Sequence, residues 1–201
     1  MSKSILEQMR CTVIFKVLLL FFLMTGFYLQ AQNETPKEYK SEKTIQDIGD
    51  VLNYSMPIAT GLTTIIIGDK KGTWQFAKGF ATNLALTYGL KYAINKPRPE
   101  GATDGHAFPS GHTSVAFQSA SFIQRRYGWK YGIPAYLLSS FVAYSRLEGL
   151  NDRHDGWDVL GGIVVGVGST YLFTTPYQKE HYELTFSGKN NNYLIGFKYK
   201  F

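Results

Sequence analysis

Three short segments gather polar residues that a packed core does not need and that an anion would. The first is Lys91-Tyr92-Ala93-Ile94-Asn95-Lys96-Pro97-Arg98-Pro99. Pro97 and Pro99 should end a helix near Asn95, which puts Lys91 in its last turn and Arg98 just beyond. Two cations so placed can converge on one anion, although basic residues near a helix C-terminus also serve simply as dipole complements. The second segment, Phe108-Pro109-Ser110-Gly111-His112-Thr113, reads as the opening of another helix. Ser110 is a good N-cap, Gly111 lets a ligand approach the backbone, and the exposed N–H groups with the helix dipole favour a phosphate there. Capping explains Ser110 but not His112, which would stand over the anion from the first turn. The third segment is Ser145-Arg146 followed by His154 and Asp158. His154 and Asp158 are four apart and share a helix face. A carboxylate there can accept the imidazole Nδ1–H, fixing the tautomer and leaving Nε2 as a nucleophile.

Fixed positive charge, exposed amides, one nucleophile and a second histidine are what phosphoryl transfer needs, because that reaction depends on positioning and charge more than on covalent chemistry. In order and spacing the segments resemble the type 2 phosphatidic acid phosphatase (PAP2) superfamily, which includes bacterial acid phosphatases and vanadium haloperoxidases. Its signature is K-x6-RP, then PSGH, then SR-x5-H-x3-D. Here Lys91 stands six residues before Arg98-Pro99, Pro109-Ser110-Gly111-His112 is intact, and Ser145-Arg146 precedes His154-x3-Asp158. One departure is that seven residues, 147–153, separate Arg146 from His154 where the family usually has five. A bulged loop must then bring Arg146 back to the site.

The resemblance implies that His154 attacks phosphorus and becomes a phosphohistidine, with Asp158 orienting it. It implies that His112 protonates the leaving oxygen and later activates water. Lys91, Arg98, Arg146, Ser110 and the Gly111 amide would hold the phosphate oxygens. Three fixed cations take the place of the magnesium that kinases require, so neither a metal nor a cofactor is expected. A metal held by His106, His112 and His154 is disfavoured because no metal-ligand spacing recurs. Asp104 and His106 either shape the substrate entrance or are simply solvated.

The elements that must position these residues can be read from the apolar pattern. Five blocks, 51–68, 74–95, 111–126, 129–146 and 155–175, are each long enough for a helix and are separated by clear breaks. Gly161, Gly162, Gly166 and Gly168 in the last block are expected to allow close helix packing. Near the C-terminus the period changes to two, in Tyr182, Leu184 and Phe186 and again from Tyr193 to Phe201, around a Gly-Lys-Asn turn composition. The expected fold is mainly α: a PAP2-like bundle of about five to six helices with a C-terminal β-hairpin. Residues 1–31 read as a signal peptide, 32–47 as a polar lead, 48–178 as the phosphatase domain and 179–201 as the hairpin.

In the leader, Lys3, Arg10 and Lys16 precede a thirteen-residue uncharged stretch, 17–29, which is short for a bilayer span. An uncleaved anchor is the alternative. The single cysteine, Cys11, lies in that leader, which excludes a disulfide framework and suits an extracytoplasmic site. The formal charge of +6 is spread along the chain and does not point to nucleic acid. Mean hydropathy is slightly negative, −0.14, which favours a bundle on a membrane surface or free in the periplasm. The uncharged runs 51–68 and 159–178 approach spanning length and leave integration in the bilayer open. The expected partner is a phosphorylated lipid (lipid A, undecaprenyl pyrophosphate or phosphatidylglycerophosphate) in the cell envelope, hydrolysed at a phosphomonoester or pyrophosphate. A soluble broad-specificity acid phosphatase and a vanadium haloperoxidase are the competing readings, and no feature sets the oligomeric state.

Overall fold

The computed structural model describes residues 37–98, 105–148, 154–177, 182–189 and 192–199. The expected leader, Asp104 and most of the loop between Arg146 and His154 lie outside these residues. Five helices follow one another: α1 (Lys37–Ile66), α2 (Lys70–Ile94), α3 (Gly111–Tyr127), α4 (Trp129–Leu147) and α5 (Gly156–Phe173). Two strands, β1 (Tyr182–Lys189) and β2 (Asn192–Tyr199), pair antiparallel, with Leu184 opposite Phe197 and Phe186 opposite Ile195.

The helix ends follow local chemistry. Asp69 caps α2 by accepting from the Gly72 amide at 2.8 Å, and Asn95 closes that helix in the left-handed region at φ 48°. Ser110 caps α3 directly after a cis Phe108–Pro109 bond. Asp155 and Asp158 form a reciprocal capping box at the start of α5.

One boundary differs from expectation. Much of the polar lead is helical, since α1 begins at Lys37 rather than near residue 51. Its early turns are rich in Lys, Glu and Gln, which are good helix formers without an apolar period, and Lys43 pairs with Asp47 one turn on at 3.6 Å.

Helix α3 is central and packs against each of the other four. Its residues Ala116, Phe117, Gln118, Ser119, Ala120, Ser121 and Phe122 are all buried. It meets α5 closely: a Cβ on Gly162 would lie 2.6 Å from the Ser110 carbonyl oxygen, and one on Gly166 would lie 2.4 Å from that of Ser114. Gly161 is likewise filled by the Phe108 ring, whereas Gly168 faces open space and takes no part in packing. At the end of α3 away from its cap, Arg126 donates from Nε and Nη2 to the two Asp69 oxygens, each at 2.7 Å. This buried bidentate pair clamps α2 to α3.

Polar and apolar side chains are distributed inside-out. Asn83, Thr87, Ser114, Gln118, Ser121 and Thr170 are buried among the helices, while Ile58, Ile65, Ile133, Leu160 and Val164 face outward. Leu137 and Leu172 are each 68% exposed, but Asn83 and Gln118 are fully covered. Mean hydropathy misses this arrangement because it adds an apolar exterior to a polar interior.

Candidate active site

The three segments meet at one end of the bundle, where α2 and α4 finish and α3 and α5 begin. A cavity of about 690 Å³ opens there, and Lys91, Arg98, His106, Gly111, His112 and His154 stand in its wall. Ser110, Arg146 and Asp158 lie behind that wall and are buried.

Lys91 is held by the loop that follows α2. Its Nζ donates to the His106 carbonyl at 2.7 Å, while His106 Nδ1 lies 3.1 Å from the Lys91 carbonyl. The His106 ring also packs edge-on against Tyr92 with centroids 4.8 Å apart. Of the two expectations for His106, entrance or solvated loop, the structure puts it in the cavity wall. A Cβ on Gly111 would sit in ordinary contact with its neighbours, 3.8 Å from Lys91 Cε and 3.9 Å from Thr87 Cγ2.

The second and third segments are joined through backbone, since the Ser110 amide donates to the Asp158 carbonyl at 2.8 Å. Ser110 Oγ accepts from the Thr113 hydroxyl at 3.0 Å and the Thr113 amide at 3.5 Å, which fixes the first turn of α3 and the amides around His112. His154 precedes the Asp155 cap and so lies outside α5 rather than on a shared helix face, yet its Nδ1 lies 3.4 Å from Asp158 Oδ2. Burial and the nearby Arg98 and Lys91 cations lower the His154 pKa to about 4, against the opposing pull of Asp158. The ring is therefore neutral near pH 7, with a lone pair available on one nitrogen.

Two charged residues of the site escaped sequence reasoning. Lys96 Nζ bridges the capping box, at 2.5 Å from Asp155 Oδ2 and 2.8 Å from Asp158 Oδ1. Its position inside the first segment was the only available signal. Asp50 arrives on α1, with Oδ1 2.9 Å from Arg146 Nη1 and 3.0 Å from His112 Nε2. Nothing near it in sequence marks it, because its partners are 62 or more positions away. Among the described residues no cluster of three His, Cys, Asp or Glu could hold a metal ion.

The chain is similar to known proteins. A lipid A 4′-phosphatase of Helicobacter pylori strain J99 is 31% identical over 172 residues, covering 78% of this chain and 85% of the relative. A lipid A 1-phosphatase of Porphyromonas gingivalis is 37% identical over 107 residues, which are 50% of this chain but only 23% of that larger protein. The fold matches the crystal structure of the first transmembrane PAP2-type phosphatidylglycerolphosphate phosphatase from Bacillus subtilis with a TM-score of 0.55. That match has 19% identity and covers 80% of this chain and 93% of the other. The PAP2 superfamily itself matches residues 72–182, more than half of the sequence and all three segments. The chain therefore belongs to the PAP2 superfamily and is a phosphoric ester hydrolase.

Proposed function

We propose that the protein removes a phosphate from a membrane lipid, without a metal, through a phosphohistidine formed on His154. The observation that carries the lipid assignment is the lining of the cavity. Its cationic end holds Lys91, Arg98, His112 and His154, and its wall continues through Leu84, Phe80, Phe76, Ile58 and Pro57 between α1 and α2. A ligand that fits both ends has an anionic head and an apolar body. A small soluble phosphate ester would leave the apolar part empty.

In this reading neutral His154 attacks phosphorus while Asp158 stabilises the imidazolium character that develops. Lys91, Arg98 and the Gly111 amide hold the phosphate oxygens from the cavity wall, with Ser110 fixing the turn beneath them and Arg146 adding positive charge from behind. His112 gives a proton to the leaving oxygen, then takes one from the water that cleaves the phosphohistidine.

The inside-out side-chain distribution supports a bundle seated in the bilayer, in place of the surface-bound or periplasmic bundle favoured by composition. Helices of 17 to 30 residues suit that setting, since at about 1.5 Å per residue they approach or exceed the ~30 Å hydrocarbon thickness. Of the described helices, α5 alone is long and apolar enough to span by composition. We infer an envelope location reached through the leader at residues 1–31, with the site at the extracytoplasmic face. The names of the relatives favour lipid A among the candidate lipids.

The test is phosphate release by purified protein and its His154→Ala variant in detergent without added metal. The panel holds lipid A, undecaprenyl pyrophosphate, phosphatidylglycerophosphate, phosphatidic acid and an aryl phosphate. Release from a lipid that vanishes in the variant is expected. Turnover of the aryl ester alone, or turnover kept by His154→Ala, rules the reading out.

A further inference from the structure

Helix α1 contributes a carboxylate to the site that none of the three motif segments contains. One oxygen of Asp50 accepts from Arg146 Nη1 at 2.9 Å and lies 3.0 Å from His112 Nε2. The contact is built into the packing. Gly49 lets α1 press on α4 so closely that a Cβ there would lie 1.9 Å from Ser145 Oγ and 2.9 Å from Arg146 Nη2. Arg146 is almost fully buried, with Nε and Nη2 on Ser145 Oγ at 3.1 and 3.0 Å and Nη2 on the Gln46 carbonyl at 3.2 Å. A guanidinium fixed on that many sides is a rigid mount, and it fixes the Asp50 carboxylate in turn. Residues 46–50 thus wrap one arginine and direct one oxygen at one histidine.

The imidazole has two nitrogens, and a carboxylate oxygen 3.0 Å from Nε2 favours the hydrogen there. Only Nδ1 is left for the ligand side. We propose that Asp50 is a positioning residue for His112: it holds Nε2–H in place, with Arg146 as its anchor, so that Nδ1 handles the proton of the reaction. This rests on the phosphatase reading above. As His154 Nε2 bonds to phosphorus and the P–O bond breaks, the proton on Nδ1 passes to the leaving oxygen. In the second half a water oxygen bonds to phosphorus, the N–P bond breaks, and the water's proton goes to Nδ1. Nε2–H remains on Asp50 throughout, and no further reactant is needed.

A carboxylate that serves only to neutralise buried Arg146 would make the same salt bridge, so the test must read the proton. The enzyme is compared with Asp50→Asn, His112→Ala and the double variant on phosphate esters whose leaving groups run from nitrophenol to an alkyl alcohol. Asp50→Asn keeps an oxygen acceptor at the same place but not its charge. It is expected to lose about 10²-fold in kcat on the alkyl ester and roughly threefold or less on the nitrophenyl ester. It should cost nothing further in the His112→Ala background. Equal loss on all esters, or losses that multiply in the double variant, overturns the proposal. Asp50→Glu keeps the charge beside Arg146 and displaces the carboxylate by one methylene, so it guards against loss of fold in the asparagine variant. It too should steepen the leaving-group dependence, and wild-type dependence would overturn the proposal. His154→Ala, run alongside, separates the two ideas: if it remains active the phosphatase reading fails, whatever Asp50 does.

Discussion

Lys96 Nζ donates to Asp158 Oδ1 at 2.8 Å, so a residue just past the end of α2 fixes the carboxylate that faces His154 just ahead of α5. The other Asp158 oxygen faces His154 Nδ1 at 3.4 Å, and Asp155 takes the same ammonium at 2.5 Å. Burial works against the Lys96 charge, but the hydrogen bonds and charges of Asp155 and Asp158 outweigh it and raise its pKa. One lysine thus joins the first segment to the third.

Replacing that lysine should therefore act on His154 without removing a phosphate ligand. Lys96→Met is expected to lower kcat by up to about 10²-fold, the scale of a small misplacement of a reacting group, with KM changing far less. Lys96→Arg, which keeps two-way donation, should recover most of the rate. A loss confined to KM would instead mean that Lys96 binds the phosphate itself.

The acid limb of activity should lie unusually low. In the proposed reaction His154 must be unprotonated to attack, and its pKa is lowered to about 4 by burial together with Arg98 and Lys91. The fall in kcat/KM with acidification is thus expected near pH 4 rather than near the ordinary histidine value of about 6.5. Lys91→Met, by removing one of the depressing charges, should move the midpoint upward. The same shift has a stability sign. Between about 6.5 and 4 the unfolded chain holds the proton that the folded chain refuses, so stability should decline as pH falls through that window. A pH–rate profile with its acid midpoint at or above 6.5 in the wild type would contradict the geometry around His154.

Much of this arrangement was legible in the sequence, for a local reason. Caps, proline stops and contacts between near neighbours depend on local chain, so Ser110, the end of α2 near Asn95 and the His154–Asp158 contact could all be anticipated, although His154 stands ahead of the α5 cap and not on the helix face expected for it. The meeting of Lys91, Arg98, Gly111, His112 and His154 in one cavity wall was reachable only because the three segments occur in a recognisable order. Asp50 was not legible, because its significance lies entirely in contacts with helices 62 and 96 positions away in sequence, and a polar helix start resembles a linker. The inside-out distribution was hidden for a related reason. Composition counts Thr, Ser, Asn and Gln as signs of exposure, whereas Asn83, Thr87, Ser114 and Gln118 pack inside among helices whose apolar faces turn outward.

Two glycines give the contact between α1 and α4 a test that can be read by stability alone. In an exposed helix interior, Gly→Ala should stabilise by up to about 1 kcal/mol from propensity. Gly168 of α5 is such a place, since a Cβ there meets nothing within 4 Å. Gly168→Ala is accordingly expected to raise the melting temperature with activity intact. At Gly49 the same methyl would collide with Ser145 Oγ and crowd Arg146. Overpacking of that kind costs about 1–3 kcal/mol, which exceeds the propensity gain, so Gly49→Ala should lower the melting temperature. It should also reduce turnover of poor leaving groups, because any retreat of α1 from α4 carries Asp50 away from His112. If Gly49→Ala melts higher than the parent, as Gly168→Ala should, then α1 does not press on the Ser145-Arg146 turn. The carboxylate that α1 delivers would then have no fixed place in the site.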